Sequence, residues 1–231
     1  MPARTRHRFD AWWVPLLWLL AAGAIAGVSI EGLRWLHYLC KPAATVLIIL
    51  RAMDAAPGNY QRWIRVGLVL SLIGDICLML PVDAFVAGLA AFLFAHIAYI
   101  LAFARGARLK TMALAAPLLA IYAVANLRAL WPHLPTALLG PVIAYTVVLA
   151  TMAALALARG WMPPADGTHA RRAALGAVLF VASDSLLAWD RFAGPLPWAI
   201  AGVLATYYAA QWLIATSVPP AGALQPVRRA C

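Results

Sequence analysis

The 231 residues carry 18 Lys+Arg against 8 Asp+Glu, and 65% of them are hydrophobic. Soluble domains are about half apolar and about a quarter charged; at 11% charged and a mean hydropathy of +0.85, this chain is no soluble globular enzyme, disordered tail or coiled coil. What remains is an all-α, polytopic membrane helix bundle, with spans of ~20 residues and no length left over for a soluble domain.

Apolar runs fall at 11–30, 36–51, 63–81, 83–104, 110–127, 135–158, 172–189 and 195–217, predicting eight transmembrane helices in one integral-membrane domain over 1–231. The first follows Arg4, Arg6 and Arg8, as a signal peptide does, but it is too long for a signal core and reads as a retained helix. The second is short for a span, and the turn at Pro81, Val82 and Asp83 is tight. Pro117 and Pro141 lie inside spans and predict kinks. Trp12, Trp13, Trp18, Trp35, Trp63, Trp131, Trp161, Trp189, Trp198 and Trp212 mostly sit near span ends, as an interfacial belt does. Cys40, Cys77 and Cys231 form no CxxC and no disulfide framework.

Charge placement tests the span count. An even number of spans puts both termini on one side. That side collects Arg4, Arg6, Arg8, Arg51, Arg62, Arg65, Arg105, Arg108, Lys110, Arg159, Arg171, Arg172, Arg228 and Arg229. The other side has only Arg34, Arg128 and Arg191, and Lys41 lies within a span. The positive-inside rule then makes both termini cytoplasmic. The cations sit in clusters between apolar runs rather than along one basic face, which argues against a nucleic-acid partner.

Ionisable groups inside a span are costly and are functional-site candidates by default. Lys41, Asp75, His96 and Asp184 are the clear cases. At ~1.5 Å per residue, Asp75, Asp184 and Lys41 all come out about 7–9 Å below the non-cytoplasmic ends of three different helices. His96 comes out deeper, at about 16–20 Å. Phe92, His96 and Tyr99 share one helix face, Tyr207, Tyr208 and Gln211 lie at similar depth, and Tyr145 lies between the two levels. Ser71 and Ser183 flank the carboxyls. Together these residues predict one polar cavity that narrows inward.

Plainer readings compete. Lys41 and an Asp form a packing salt bridge, or Lys41 snorkels to the interface beside Pro42. His96, the tyrosines and Gln211 bond between helices, and Ser71, Ser183, Gly74 and Gly176 are small-residue contacts. No metal site is expected, because a three-His zinc site needs ligands at one depth and only His96 lies within a span. No GxSxG or HExxH occurs. A Ser-His-Asp triad would need His96 to climb to the aspartate level. Two carboxyls near a lysine remain, which is acid/base equipment.

The strings KPAAT (41–45), SLIGDICLML (71–80), GLAAFLFAHIAYI (88–100), GAVLFVASDSLLA (176–188) and YYAAQWLIA (207–215) occur in this order. As an ordered set they resemble the YhhN family of TMEM86-like lysoplasmalogenases. The resemblance implies an eight-span hydrolase that cleaves the vinyl ether bond of lysoplasmalogens, with lysophospholipid substrate, membrane lipids as surroundings and no cofactor. It places the family's GD and SD aspartates at Asp75 and Asp184, and other motif positions at Lys41, His96, Tyr99, Tyr207 and Gln211. The implied products are a fatty aldehyde and a glycerophospho-head group. Alanine- and arginine-rich usage points to a GC-rich bacterium and hence to the inner membrane.

A rival class uses intramembrane carboxyls to carry protons through a transporter or lipid flippase. The [GS]D pair before an aromatic-rich span occurs in both halves, at 74–75 and 183–184, and hints at a parallel repeat. A structural or sensory protein with a salt-bridged core is the third class.

Overall fold

The computed structural model describes residues 3–107, 109–160 and 167–219, with no side-chain account for 3–11 or 109. Arg108, Trp161, Arg228, Arg229 and Cys231 fall outside the described residues, as do the side chains of Arg4, Arg6 and Arg8. Eight α-helices and no strands appear among them: α1 (Ala3–Ser29), α2 (Arg34–Met53), α3 (Asn59–Met79), α4 (Phe85–Phe103), α5 (Leu109–Leu130), α6 (Leu139–Gly160), α7 (Gly167–Phe192) and α8 (Ala199–Ala215).

The eight helices coincide with the eight apolar runs, with ends shifted by a few residues. Six of them, α1, α2, α4, α5, α6 and α7, are long and apolar enough to cross a membrane. At 17 residues α8 is too short to qualify by length. α3 is long enough but carries three charged residues, Arg62, Arg65 and Asp75, within any span-length stretch. Three helices correct the expected prolines or ends. Pro141 sits in the first turn of α6, where no interior hydrogen bond is lost. α2 starts at Arg34, so Lys41 lies about 10 Å along it. α7 continues to Phe192, which sinks Asp184 to about 12 Å from its end.

Consecutive helices pack as four hairpins, α1/α2, α3/α4, α5/α6 and α7/α8. α6 joins them by packing on α4, α5 and α7, while α8 touches α1, α2 and α3. Lipid tails are as apolar as leucine, so close backbone approach rather than apolar transfer must hold such helices together. The sequence supplies small residues at the contacts: Ala44, Ala95, Ala98, Ala153, Ala177 and Ala210 are all buried. At Gly67 a Cβ would lie 2.2 Å from the Tyr99 ring, and at Gly74 one would lie 2.6 Å from the Phe92 ring. These two glycines let α4 lie flush on α3. Large apolar side chains such as Trp12, Leu19, Leu114 and Ile121 point outward, the inverse of a soluble bundle.

The two ends of the bundle differ. At one, Arg51, Arg62, Arg65, Arg105, Lys110, Arg159, Arg171 and Arg172 gather near the α2/α3, α4/α5 and α6/α7 connections. That end is knitted together: the Ala56 amide donates to the Pro219 carbonyl (2.9 Å), Tyr60 shares a hydrogen bond with Ser217 (2.7 Å), and Arg159 lies over the Tyr60 ring. The opposite end has short turns, one closed by Gly32 at φ +83°, where an L side chain would be strained. There Arg191 and Asp83 form an exposed ion pair at 3.0 Å.

Candidate functional site

α2 builds one wall of the site. His37, Lys41 and Thr45 recur every four residues and so share a face. Lys41 is buried rather than snorkelled, with Nζ 3.6 Å from Asp75 Oδ1 on α3. Thr45 Oγ1 donates to Asp75 Oδ2 at 2.7 Å, and Tyr207 on α8 donates to the same oxygen at 2.7 Å. Asp75 therefore has a cation on one oxygen and two hydroxyl donors on the other, in a site it exposes only slightly.

α7 supplies the second carboxyl. Asp184 Oδ2 accepts from Tyr145 of α6 at 2.5 Å. His96 of α4 has Nε2 3.9 Å from the same oxygen, too far for a direct hydrogen bond. Neither nitrogen of this fully buried imidazole has a hydrogen-bond partner among the described residues. The ring is held by edge contacts with Phe180 (4.7 Å between centroids) and Tyr145 (5.3 Å).

The proximity of His96 and Asp184 overturns the depth expectation, and helix polarity explains why. Cα–Cβ bonds tilt toward a helix's N-terminus. α4 begins at the Asp83 end, so His96 leans toward that end. α7 begins at the arginine-rich end, so Asp184 leans the opposite way. Together with the extra length of α7, the two tilts close the gap that rise alone put between them.

Both carboxyls line a single cavity of about 460 Å³, along with Lys41, Tyr207 and Ser183. Its lining continues through His37 to Arg34, Leu80, Pro81 and Asp190, so it reaches the end of the bundle opposite the arginine-rich one. His96 and Tyr145 approach Asp184 from outside this cavity, and Tyr99, Tyr208 and Gln211 do not line it either. They stand behind it: Tyr99 donates to Gln211 Oε1 (2.7 Å), Gln211 donates to the Tyr207 hydroxyl (3.2 Å), and Tyr208 donates to the Lys41 carbonyl (3.1 Å). This relay fixes the Tyr207 hydroxyl on Asp75. Thr45, His37 and Arg34 are additions to the expected set. The four-residue spacing with Lys41 was the signal that marks the first two; Arg34 had been read only as a loop charge.

The sequence profile of the YhhN family matches residues 36–218. The chain belongs to this family. The matched stretch holds both carboxyls and all of α2 to α8 except Arg34 and Trp35. Among YhhN-type relatives, lysoplasmalogenase TMEM86B of Sus scrofa is 36% identical over 217 residues, covering 93% of this chain and 89% of that protein. Lysoplasmalogenase TMEM86B of Homo sapiens is 36% identical over 189 residues, covering 81% of this chain and 77% of its own. A lysoplasmalogenase of Mycobacterium tuberculosis is 36% identical over 173 residues, covering 72% and 64%. No solved structure matches this YhhN chain.

Proposed function

We propose that this protein is a multi-pass membrane hydrolase that cleaves the vinyl ether bond of lysoplasmalogen, releasing a fatty aldehyde and a glycerophospho-head group. The relatives' names support the activity. One structural observation carries the chemistry: two carboxyls from α3 and α7 line one cavity, one ion-paired to a lysine and the other held by a tyrosine hydroxyl.

The division of labour follows from those partners. Lys41, Thr45 and Tyr207 present a cation and two donors to Asp75, a setting that suits a carboxylate. Asp184 has a single hydroxyl donor and an uncharged setting, which suits the protonated acid. Asp184 delivers its proton to the β-carbon of the vinyl ether, giving an oxocarbenium ion. Asp75, fixed as an anion, stabilises that positive charge across the cavity, as paired carboxyls do in glycosidases. Water reaches Asp184 from the polar cavity, onto which the more open of the two carboxyls faces. That water adds to the oxygen-bearing carbon and returns a proton to Asp184. The hemiacetal then loses its hydroxyl proton as the glycerol oxygen gains one, and the C–O bond breaks. Arg34 and His37, near the cavity mouth, are placed to meet the lipid phosphate.

The same reading makes the chain one eight-span domain in the inner membrane with both termini cytoplasmic. The cation asymmetry supports it. α8 falls short of a typical span only in length, and α3 only through the charges of Arg62, Arg65 and Asp75, the last covered by the other helices. The cavity would then open on the non-cytoplasmic side.

The test is purified protein in proteoliposomes without an ion gradient, given lysoplasmenyl-ethanolamine. Aldehyde release that disappears in Asp184→Asn supports the reading. Movement of lipid or solute only under a gradient, with no aldehyde, replaces it with the transporter.

A further inference from the structure

We infer that a second, apolar cavity between α5, α6 and α7 is the binding site for the alkenyl chain, and that Asp184 marks the junction of head and tail sites. This rests on the substrate reading above. Asp184, Phe92 and Leu78 line the polar cavity and also a smaller apolar one of about 90 Å³, on the α5/α6 side of Asp184. The small cavity continues into a groove of about 610 Å³, with Leu119, Tyr122 and Val181 common to both.

The groove exists because α5 packs on α6 and scarcely touches α7. A polar clasp holds α5 to α7 at the level of the site. Tyr122 and Asn126 both donate to Ser185 Oγ, at 2.8 and 3.0 Å, and Trp189 Nε1 donates to Asn126 Oδ1 at 2.9 Å. From there the groove runs toward the arginine-rich end as far as Thr111. The stretch from Tyr122 to Thr111 covers about 16 Å at ~1.5 Å per residue. One leaflet's chain occupies about 15 Å, half of a ~30 Å hydrocarbon core.

The substrate's chemistry matches this layout. In a lysoplasmalogen the scissile vinyl ether is itself the joint between polar head and apolar chain. Asp184, the proposed proton donor, sits where the polar cavity meets the apolar one. The groove discriminates by shape, since a tail gains little by leaving one hydrocarbon surrounding for another.

The experiment has two arms. A non-cleavable alkyl-ether lysophosphoethanolamine with a diazirine near its chain terminus is photolysed with the protein in proteoliposomes. Peptide mass spectrometry should place the label on α5 and α7 around Leu114, Leu118 and Val178, and unlabelled lysolipid, but not diacyl lipid, should compete. Label on α1 or α2, or label that diacyl lipid displaces equally, overturns the proposal. This arm needs no turnover, so an inactive protein with a labelled groove refutes the reaction and supports the tail site. In the second arm, Val181→Trp should lower the long-chain to short-chain kcat/KM ratio by about tenfold, because overpacking a filled groove is costly. An unchanged ratio overturns it. If that variant does not fold, Leu118→Trp on the open side of the groove is read in the same way.

Discussion

The two cavity carboxyls sit in one site but in opposite surroundings. Asp75 is saturated: Lys41 on one oxygen, Thr45 and Tyr207 on the other, with Gln211 and Tyr99 bracing the tyrosine. Asp184 is spare: one hydroxyl from Tyr145, and a histidine that stops 3.9 Å short. Its side chain is also the more open, at 12% against 4%. A carboxyl facing a cation and two hydroxyl donors has been built to keep one charge state. A carboxyl with room beside it has been built to exchange a proton. The reaction needs both kinds, a fixed anion to face a cation and a mobile acid to create one, and like environments would supply neither pairing.

The sharpest way to break this contrast is to remove each acid separately. General acid catalysis contributes about 10²–10⁴-fold, so Asp184→Asn should cut kcat by about 10³. The variant should fold normally, because Asn can still accept from Tyr145. Aldehyde-release kinetics on protein with an unchanged melting curve would show it; wild-type turnover would strip Asp184 of its role. The contrast predicts the reverse balance at Asp75, where stability suffers too. Lys41→Met leaves a buried carboxylate without its cation, and breaking such a pair costs about 3–5 kcal/mol. Lys41→Met combined with Asp75→Asn should recover most of that loss in detergent thermal unfolding. A double variant no more stable than the single one would mean that the pair is not the structural element described.

His96 tests the spare side next. Substituting it by Phe keeps a ring against Phe180 and removes the nitrogen facing Asp184. The expected result is a fall in kcat of about 10²-fold with KM nearly unchanged, since the ring packs behind Asp184 and positions the acid, and does not meet the head group. A rise in KM alone would move His96 to substrate binding.

Much of this was legible in the chain itself, and the gaps have specific causes. The eight helices were visible because apolar runs and cation clusters alternate, and bilayer thickness leaves few other ways to divide 231 residues. Lys41, Asp75 and Asp184 were visible because charge within an apolar run is rare. The depth of His96 was misjudged because rise along a helix ignores the direction in which side chains lean. Thr45 was missed because a lone threonine in an apolar run looks like a packing residue until its four-residue relation to Lys41 is used. The clasp of Tyr122, Asn126, Ser185 and Trp189 joins residues 59 to 63 apart in sequence, and no local pattern announces it.

The smallest effect gives the finest test, since Tyr145 and Tyr207 make matching bonds to the two acids. A hydrogen bond to a charged group contributes about 1.5–3 kcal/mol, and one to a neutral group about 0.5–1.5 kcal/mol. If Asp75 is the anion, Tyr207→Phe removes the stronger bond and leaves Gln211 Nε2 without its acceptor. Melting should then fall more in Tyr207→Phe than in Tyr145→Phe. Tyr145→Phe should act mainly on rate, by about tenfold or less, because Tyr145 orients the acid that moves the proton. Equal melting losses in the two variants would mean that both acids carry the same charge, and the assignment of acid and anion would fall with that result.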